Sequence, residues 1–133
     1  MTVAPQSPHP VRLRLAETAK IDIEDLLAWS EQRFGVAARQ RYEALLARAL
    51  LDVSEDVVRT GVRARPELGA GMFSYHLHFS RKRAVTPAGQ AVSEVHRPRH
   101  FLVWRSAEDG LAEMLRVLHD AMELSLHLPE DSP

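Results

Sequence analysis

Apolar positions change their spacing along this chain, and each change marks a new element. Val11, Leu13 and Leu15 alternate with Arg12 and Arg14, a period of two that predicts a half-buried strand. From about Thr18 the spacing becomes helical. Ile23, Leu26, Leu27 and Phe34 form one stripe, while Asp22, Glu24 and Asp25 sit in the early turns, where the helix dipole favours negative charge. Gly35 is the natural stop, because glycine enters left-handed backbone cheaply. A second stripe follows at once through Ala38, Tyr42, Leu45, Leu46, Ala49 and Val53. Two helices joined so tightly must run antiparallel as a hairpin.

The stretch from Thr60 to Gly71, with three glycines and Pro66, reads as a loop. Phe73, Tyr75, Leu77 and Phe79 then alternate with Ser74, His76, His78 and Ser80, the clearest strand pattern in the chain. Residues 81–98 are polar, basic and proline-containing, and read as a long loop or protruding hairpin with a weak strand signal near Ala91–Val95. Phe101 to Trp104 predicts a short buried strand, and Asp109-Gly110 closes a turn. Leu111 to Leu118, apolar on both faces, suits the middle of a sheet. A last apolar piece, Met122-Leu124-Leu126-Leu128, predicts a short C-terminal helix or tail. The fold class that follows is α+β: an N-terminal strand, then an antiparallel helical hairpin packed on a three- to four-stranded antiparallel sheet, in the order β-α-α-β-β-β. Residues 1–10 are expected to be a disordered leader, 11–128 one domain and 129–133 a disordered tail.

Composition bounds the function. At 133 residues, 45% hydrophobic and 26% charged, the chain has the makings of one globular core. The absence of cysteine excludes disulfides, thiolate metal sites and a cysteine nucleophile. No apolar run approaches the ~20 residues of a membrane helix, and the first ten residues lack the basic-then-apolar pattern of a secretory signal. A cytoplasmic protein is expected. The net charge of −1 conceals a strong asymmetry. Nine Lys and Arg face two Asp and Glu between Arg59 and Arg105, whereas the segment after it holds one against seven. A basic middle beside an acidic tail predicts that something acidic meets the middle.

Three stretches resemble the ParE branch of the RelE/ParE toxins of bacterial toxin–antitoxin pairs. "DIEDLLAWSEQRFGVAARQRYEALLARAL", Asp22 to Leu50, is similar to that family's helical hairpin with its phenylalanine–glycine joint. "RPELGAGMFSY", Arg65 to Tyr75, resembles the entry to its second strand. "RHFLVWRSAEDGLAEMLRVLHDAMELSLHL", Arg99 to Leu128, resembles its closing hairpin and arginine–valine–leucine–histidine signature. Residues 81–98 are longer than the family usually has there, and Asp120 and Ala121 follow His119 where glycine and a basic residue are common. The resemblance implies the toxin component of a type II toxin–antitoxin pair, inhibiting DNA gyrase. It also implies a stable hetero-oligomer with a ParD-like antitoxin, whose flexible acidic segment would lie across the hairpin and sheet.

The candidate residues divide by mechanism. For partner binding they are Trp29, Arg81, Lys82, Arg83, Arg97, Arg99, Arg105, Arg116 and His119. Trp29 lies off the first helical stripe, which fits either an exposed anchor or a wide core face. The cations fit either a docking surface or a solubilising one. The alternative is a RelE-like, ribosome-dependent mRNA endonuclease with His119 and either Lys82 or Arg116 as working groups. Against it, Phe101 stands where that branch commonly has arginine, and Asp120 would oppose an anionic transition state. His119 equally fits a residue that satisfies the end of its strand. A third possibility is a non-toxic, antitoxin-binding remnant. Direct nucleic-acid binding is not expected, since residues 81–98 lack interleaved aromatic groups. His76 and His78, with His100 as third, are the only metal candidates, and neither metal nor other cofactor is expected.

Overall fold

The computed structural model describes residues 8–84 and 94–121. The elements are β1 (Arg12–Leu15), α1 (Glu17–Phe34), α2 (Val36–Glu55), β2 (Arg63–Ala64), β3 (Met72–His76), β4 (His100–Glu108) and β5 (Leu111–His119), with single 3-10 turns at Pro66–Leu68 and Leu77–Ser80. One sheet contains all five strands in the order β1-β5-β4-β3-β2, and the hairpin of α1 and α2 lies on one face. The α+β class, the hairpin and the central place of β5 are as the sequence predicts. Gly35, at φ 95°, is both the end of α1 and the start of α2. A Cβ there would touch nothing, so glycine is required by the backbone angle alone.

The sheet itself departs from expectation in two ways. It has five strands, and β1 runs parallel to β5, so it is mixed. The two helices between β1 and the rest of the sheet free β1 from the antiparallel geometry that a tight hairpin would impose. The predicted loop Thr60–Gly71 supplies β2, which pairs with Phe73 and Ser74. The predicted strand through Phe79 stops at His76. There the His76 imidazole accepts the backbone N–H of His78 at 3.1 Å, a local bond that competes with the ladder and turns the chain into the 3-10 turn. Phe79 is therefore exposed rather than part of a four-residue apolar face.

The core joins Ala19, Leu26 and Leu27 of α1 and Leu45, Leu46, Ala49 and Val53 of α2 to Tyr75, Leu77, Leu102, Trp104, Met114 and Val117 of the sheet side. Phe34, assigned by spacing to this core, is 65% exposed; Ala19 and Ser30 occupy the ends of the buried stripe instead. Burying one such leucine contributes about 1.5–3 kcal/mol, so the two stripes carry most of the fold's driving force.

Where β1 ends, α1 replaces it. The Thr18 hydroxyl donates to the Leu115 carbonyl at 2.7 Å, and the Asp22 carboxylate accepts from the Val117 N–H at 2.9 Å. Four residues of helix rise about 6 Å and two of strand about 6.6 Å, so side chains four apart on α1 match alternate residues on β5. Asp22 also accepts two bonds from Arg116, at 2.7 and 3.0 Å.

A second carboxylate organises the far end of α2. Asp52, fully buried, receives Arg48 at 2.7 Å, Arg59 at 3.1 Å and Arg83 at 3.2 Å. It also accepts the Ser80 hydroxyl at 2.6 Å, and Ser80 in turn accepts that of Tyr75 at 2.8 Å. This network fixes the turn after β3. The expected leader lies outside the described residues as far as residue 7. From His9 the chain is tied down: its carbonyl accepts from Val57 and its N–H donates to Asp56. The expected strand signal near Ala91 and the C-terminal piece from Met122 lie outside the described residues, apart from Glu94 and Val95, which are not in a strand.

Candidate functional site

Two clefts meet at one end of the sheet, where β4 begins and β5 ends, and His96, Arg97 and Arg99 line both. Adjacent strand residues point to opposite faces, so His100 turns towards the helices while Phe101 turns away.

On the helix face, Leu26, Trp29 and Phe34 of α1, Ala38 and Tyr42 of α2, Val95, His100 and His119 enclose a largely apolar groove of about 410 Å³, with Arg41, Arg97 and Arg99 among its walls. Trp29 is 54% exposed, and its ring meets Phe34 edge-on at 5.6 Å. Of the two readings open for Trp29, the exposed one holds. Behind it, the Arg99 N–H donates to the Tyr42 hydroxyl at 3.1 Å, and that hydroxyl stands 2.6 Å from His100 Nδ1. Burial pushes His100 down to about 4, helped by the charge of His119, so its ring is neutral and Nδ1 accepts from Tyr42. Burial likewise pushes Tyr42 up to about 12, against the lowering effect of the Arg99 bond. The pair is fixed in one protonation state across the physiological range.

On the opposite face, Arg63, Ser74, His76, His78, Phe79, Arg81, Arg97, Arg99, Phe101 and Asp120 line an open cleft of about 710 Å³. Both volumes fall within the range of about 300–1,000 Å³ typical of binding sites. Because His76 Nδ1 accepts the His78 amide, its Nε2 carries the proton and donates to Asp120 at 3.1 Å. Arg99 binds the other Asp120 oxygen through Nε and Nη2, both at 3.0 Å. Burial raises the Asp120 carboxyl, but the bond from His76 and the charge of Arg99 outweigh it and hold the group below the usual carboxylate range. His78 is pushed down by burial and by neighbouring His76 and Arg81.

The expected site residues thus separate. Trp29 and His119 line the groove; Arg97 and Arg99 stand between the clefts; Arg81 lines the outer cleft, paired with Glu94 at 3.2 Å. Arg83 is drawn to Asp52, Arg105 to Glu113 at 3.5 Å, and Arg116 to Asp22. Lys82 is exposed in the turn after Ser80. The acidic groups that meet the basic middle are therefore in large part the chain's own. His119, Arg116 and Lys82 lie in three different settings, and neither cleft holds more than one of them. His76 and His78 have ring centroids 5.0 Å apart, but His100 is on the other face, so the three metal candidates do not converge. Sequence spacing missed Phe34, Tyr42 and Arg63. Their apolar-stripe or loop positions gave no sign of a cleft, whereas the tyrosine–histidine pair has no short-range pattern at all.

Among the described residues, no helix is long and apolar enough to cross a membrane. No protein-family model and no curated protein matches the chain. A chain of the solved structure titled "Chromosomal ParDE TA system from P. aeruginosa" matches with a TM-score of 0.56 and 11% identity, over 84% of this chain and 97% of that one. The resemblance drawn from three stretches of sequence is therefore matched by a likeness of fold, and this chain has the fold of a chain from a ParDE toxin–antitoxin system.

Proposed function

We propose that this chain is the toxin component of a type II toxin–antitoxin pair, similar to ParE, which inhibits DNA gyrase and is neutralised by a ParD-like antitoxin. It acts in the cytoplasm by gripping protein partners and performs no chemistry of its own. The fold likeness supports the toxin–antitoxin setting, and one observation carries the binding mode: a groove at the closed end of the helical hairpin with Trp29 and Phe34 exposed at 54% and 65%. Large exposed rings beside a concave surface are the usual anchors of a protein interface. The arginines in its walls, Arg41, Arg97 and Arg99, suit a segment that alternates apolar anchors with carboxylates. Such a segment folds as it binds, and acidic flanks offset part of the ordering cost.

The test is a supercoiling assay with purified gyrase. The chain is expected to block supercoiling or trap cleaved DNA, and pre-mixing with the proposed ParD-like antitoxin should restore activity. Undiminished supercoiling at large molar excess of folded protein would refute gyrase as target.

A further inference from the structure

We propose that the outer cleft is a binding site for single-stranded nucleic acid, with its arginines on the phosphates and the ring of Phe79 as a platform for a base. This goes beyond the toxin reading and does not depend on it.

The first support is where unpaired cations collect. From Arg59 to Arg116 nearly every arginine has a carboxylate partner: Arg59 and Arg83 share Asp52, Arg65 has Glu67, Arg81 Glu94, Arg99 Asp120, Arg105 Glu113 and Arg116 Asp22. Only Arg63 and Arg97 have none among the described residues; both line this cleft, Arg97 on the wall it shares with the groove. A chain that folds most of its charge away yet leaves two guanidinium groups on one concave surface has an electrostatic vacancy for an anion. The carboxylate in the cleft is no obstacle. Asp120 is already held by His76 and by both ends of the Arg99 fork, so little of its charge is left to repel a phosphate.

The second support is the ring. Phe79 is 40% exposed, and its centroid lies 3.9 Å from that of His78. Gly61, at φ 102°, lies directly against it: a Cβ there would come within 2.6 Å of the Phe79 ring. The glycine thus lets the backbone back the ring closely. Phe101 contributes a further ring to the cleft, with the Arg65 guanidinium 5.7 Å from its centroid. Residues 81–98 contain no Phe, Tyr or Trp, but the fold places rings from β4 and the 3-10 turn beside Arg81 and Arg97. Cations that track a backbone beside aromatic faces are the general solution for binding unpaired strands, since a base must be unstacked to lie on a ring. An acidic peptide would use the cations and leave the ring without a role.

The experiment is fluorescence anisotropy of the full chain with labelled eight-nucleotide oligouridylate, oligothymidylate and, as comparison, an oligoglutamate peptide of equal charge. Binding of either oligonucleotide in preference to the peptide is expected, and a preference between the two assigns the sugar. Two or three phosphate contacts should weaken binding by about tenfold from 50 to 200 mM salt. The double variant Arg63→Ala/Arg97→Ala should lose about tenfold or more while melting as the parent does, and Phe79→Leu should weaken the oligonucleotide by about fivefold or more but leave the peptide unchanged. Arg12→Ala, on the exposed face of β1, is the control. No oligonucleotide binding at 50 mM salt, equal affinity for the peptide, or a folded double variant that binds as the parent does would each overturn the site. Gyrase inhibition is read separately, so failure of one proposal leaves the other standing.

Discussion

The two clefts share one wall and one end of the sheet, yet they are built from opposite materials. The groove under the helical hairpin is largely apolar with arginines at its walls, and the Tyr42–His100 pair behind it is mutually satisfied and fixed in its uncharged form. The cleft on the other face is lined with charge, and its carboxylate is neutralised by His76 and Arg99. One face exposes large apolar rings between its arginines; the other is lined mainly by charged and polar groups. The difference arises from the pleat, since His100 and Phe101, neighbours in sequence, face opposite ways. A single strand thereby borders two chemically distinct clefts.

The sharpest way to break this division is to remove a support that serves one cleft alone. Asp52 anchors the turn carrying Phe79 and Arg81, which belong to the outer cleft. Asp52→Ala leaves three guanidinium groups around an empty site and should cost about 3–5 kcal/mol in urea unfolding. A cost under about 1 kcal/mol would mean that the network does not hold the turn. Next in size, Trp29→Ala should weaken antitoxin binding by at least about 2 kcal/mol in calorimetric titration, roughly thirtyfold, yet change stability by no more than about 0.5 kcal/mol. Equal losses in both would return Trp29 to the core. Tyr42→Phe strands the Arg99 N–H and His100 Nδ1, and should cost about 1–2 kcal/mol in thermal unfolding.

The smallest effects lie in pH. The unfolded chain protonates His100 near 6.5, whereas the folded chain resists until about 4. Stability should therefore fall as pH drops through that window, because the unfolded state binds the extra proton. At the alkaline end the unfolded Tyr42 ionises near 10.0 and the folded one near 12, so stability should fall as pH rises above 10. Melting temperatures of the parent and Tyr42→Phe across both windows test this: the variant should lack this contribution to the alkaline decline.

Much of the fold was legible because period and punctuation act locally. The helical hairpin follows from two stripes and Gly35, and the central position of β5 from its two apolar faces. What was not legible depends on partners distant in sequence. The parallel pairing of β1 needs β5, almost a hundred residues away. Phe34 continues the helical spacing of α1, but the hairpin's closed end projects past the packed layer, so spacing alone puts it in a core it does not reach. The site was half legible. Trp29, lying off its stripe, left exposure and a wide core face equally open, and the fold exposes it. The basic run suggested one continuous surface, whereas the fold spends most of those charges on Asp52, Asp120, Glu113 and Asp22. No local pattern shows which arginines will find a carboxylate.

The chain's two tryptophans make the central claim directly measurable, since Trp104 is fully buried and Trp29 lies open in the groove. Acrylamide quenching of the free protein should find one accessible and one protected indole. Upon adding the proposed ParD-like antitoxin, the accessible component should disappear and the emission shift to shorter wavelength. A tight complex in which Trp29 stays as open to acrylamide as before would contradict the account.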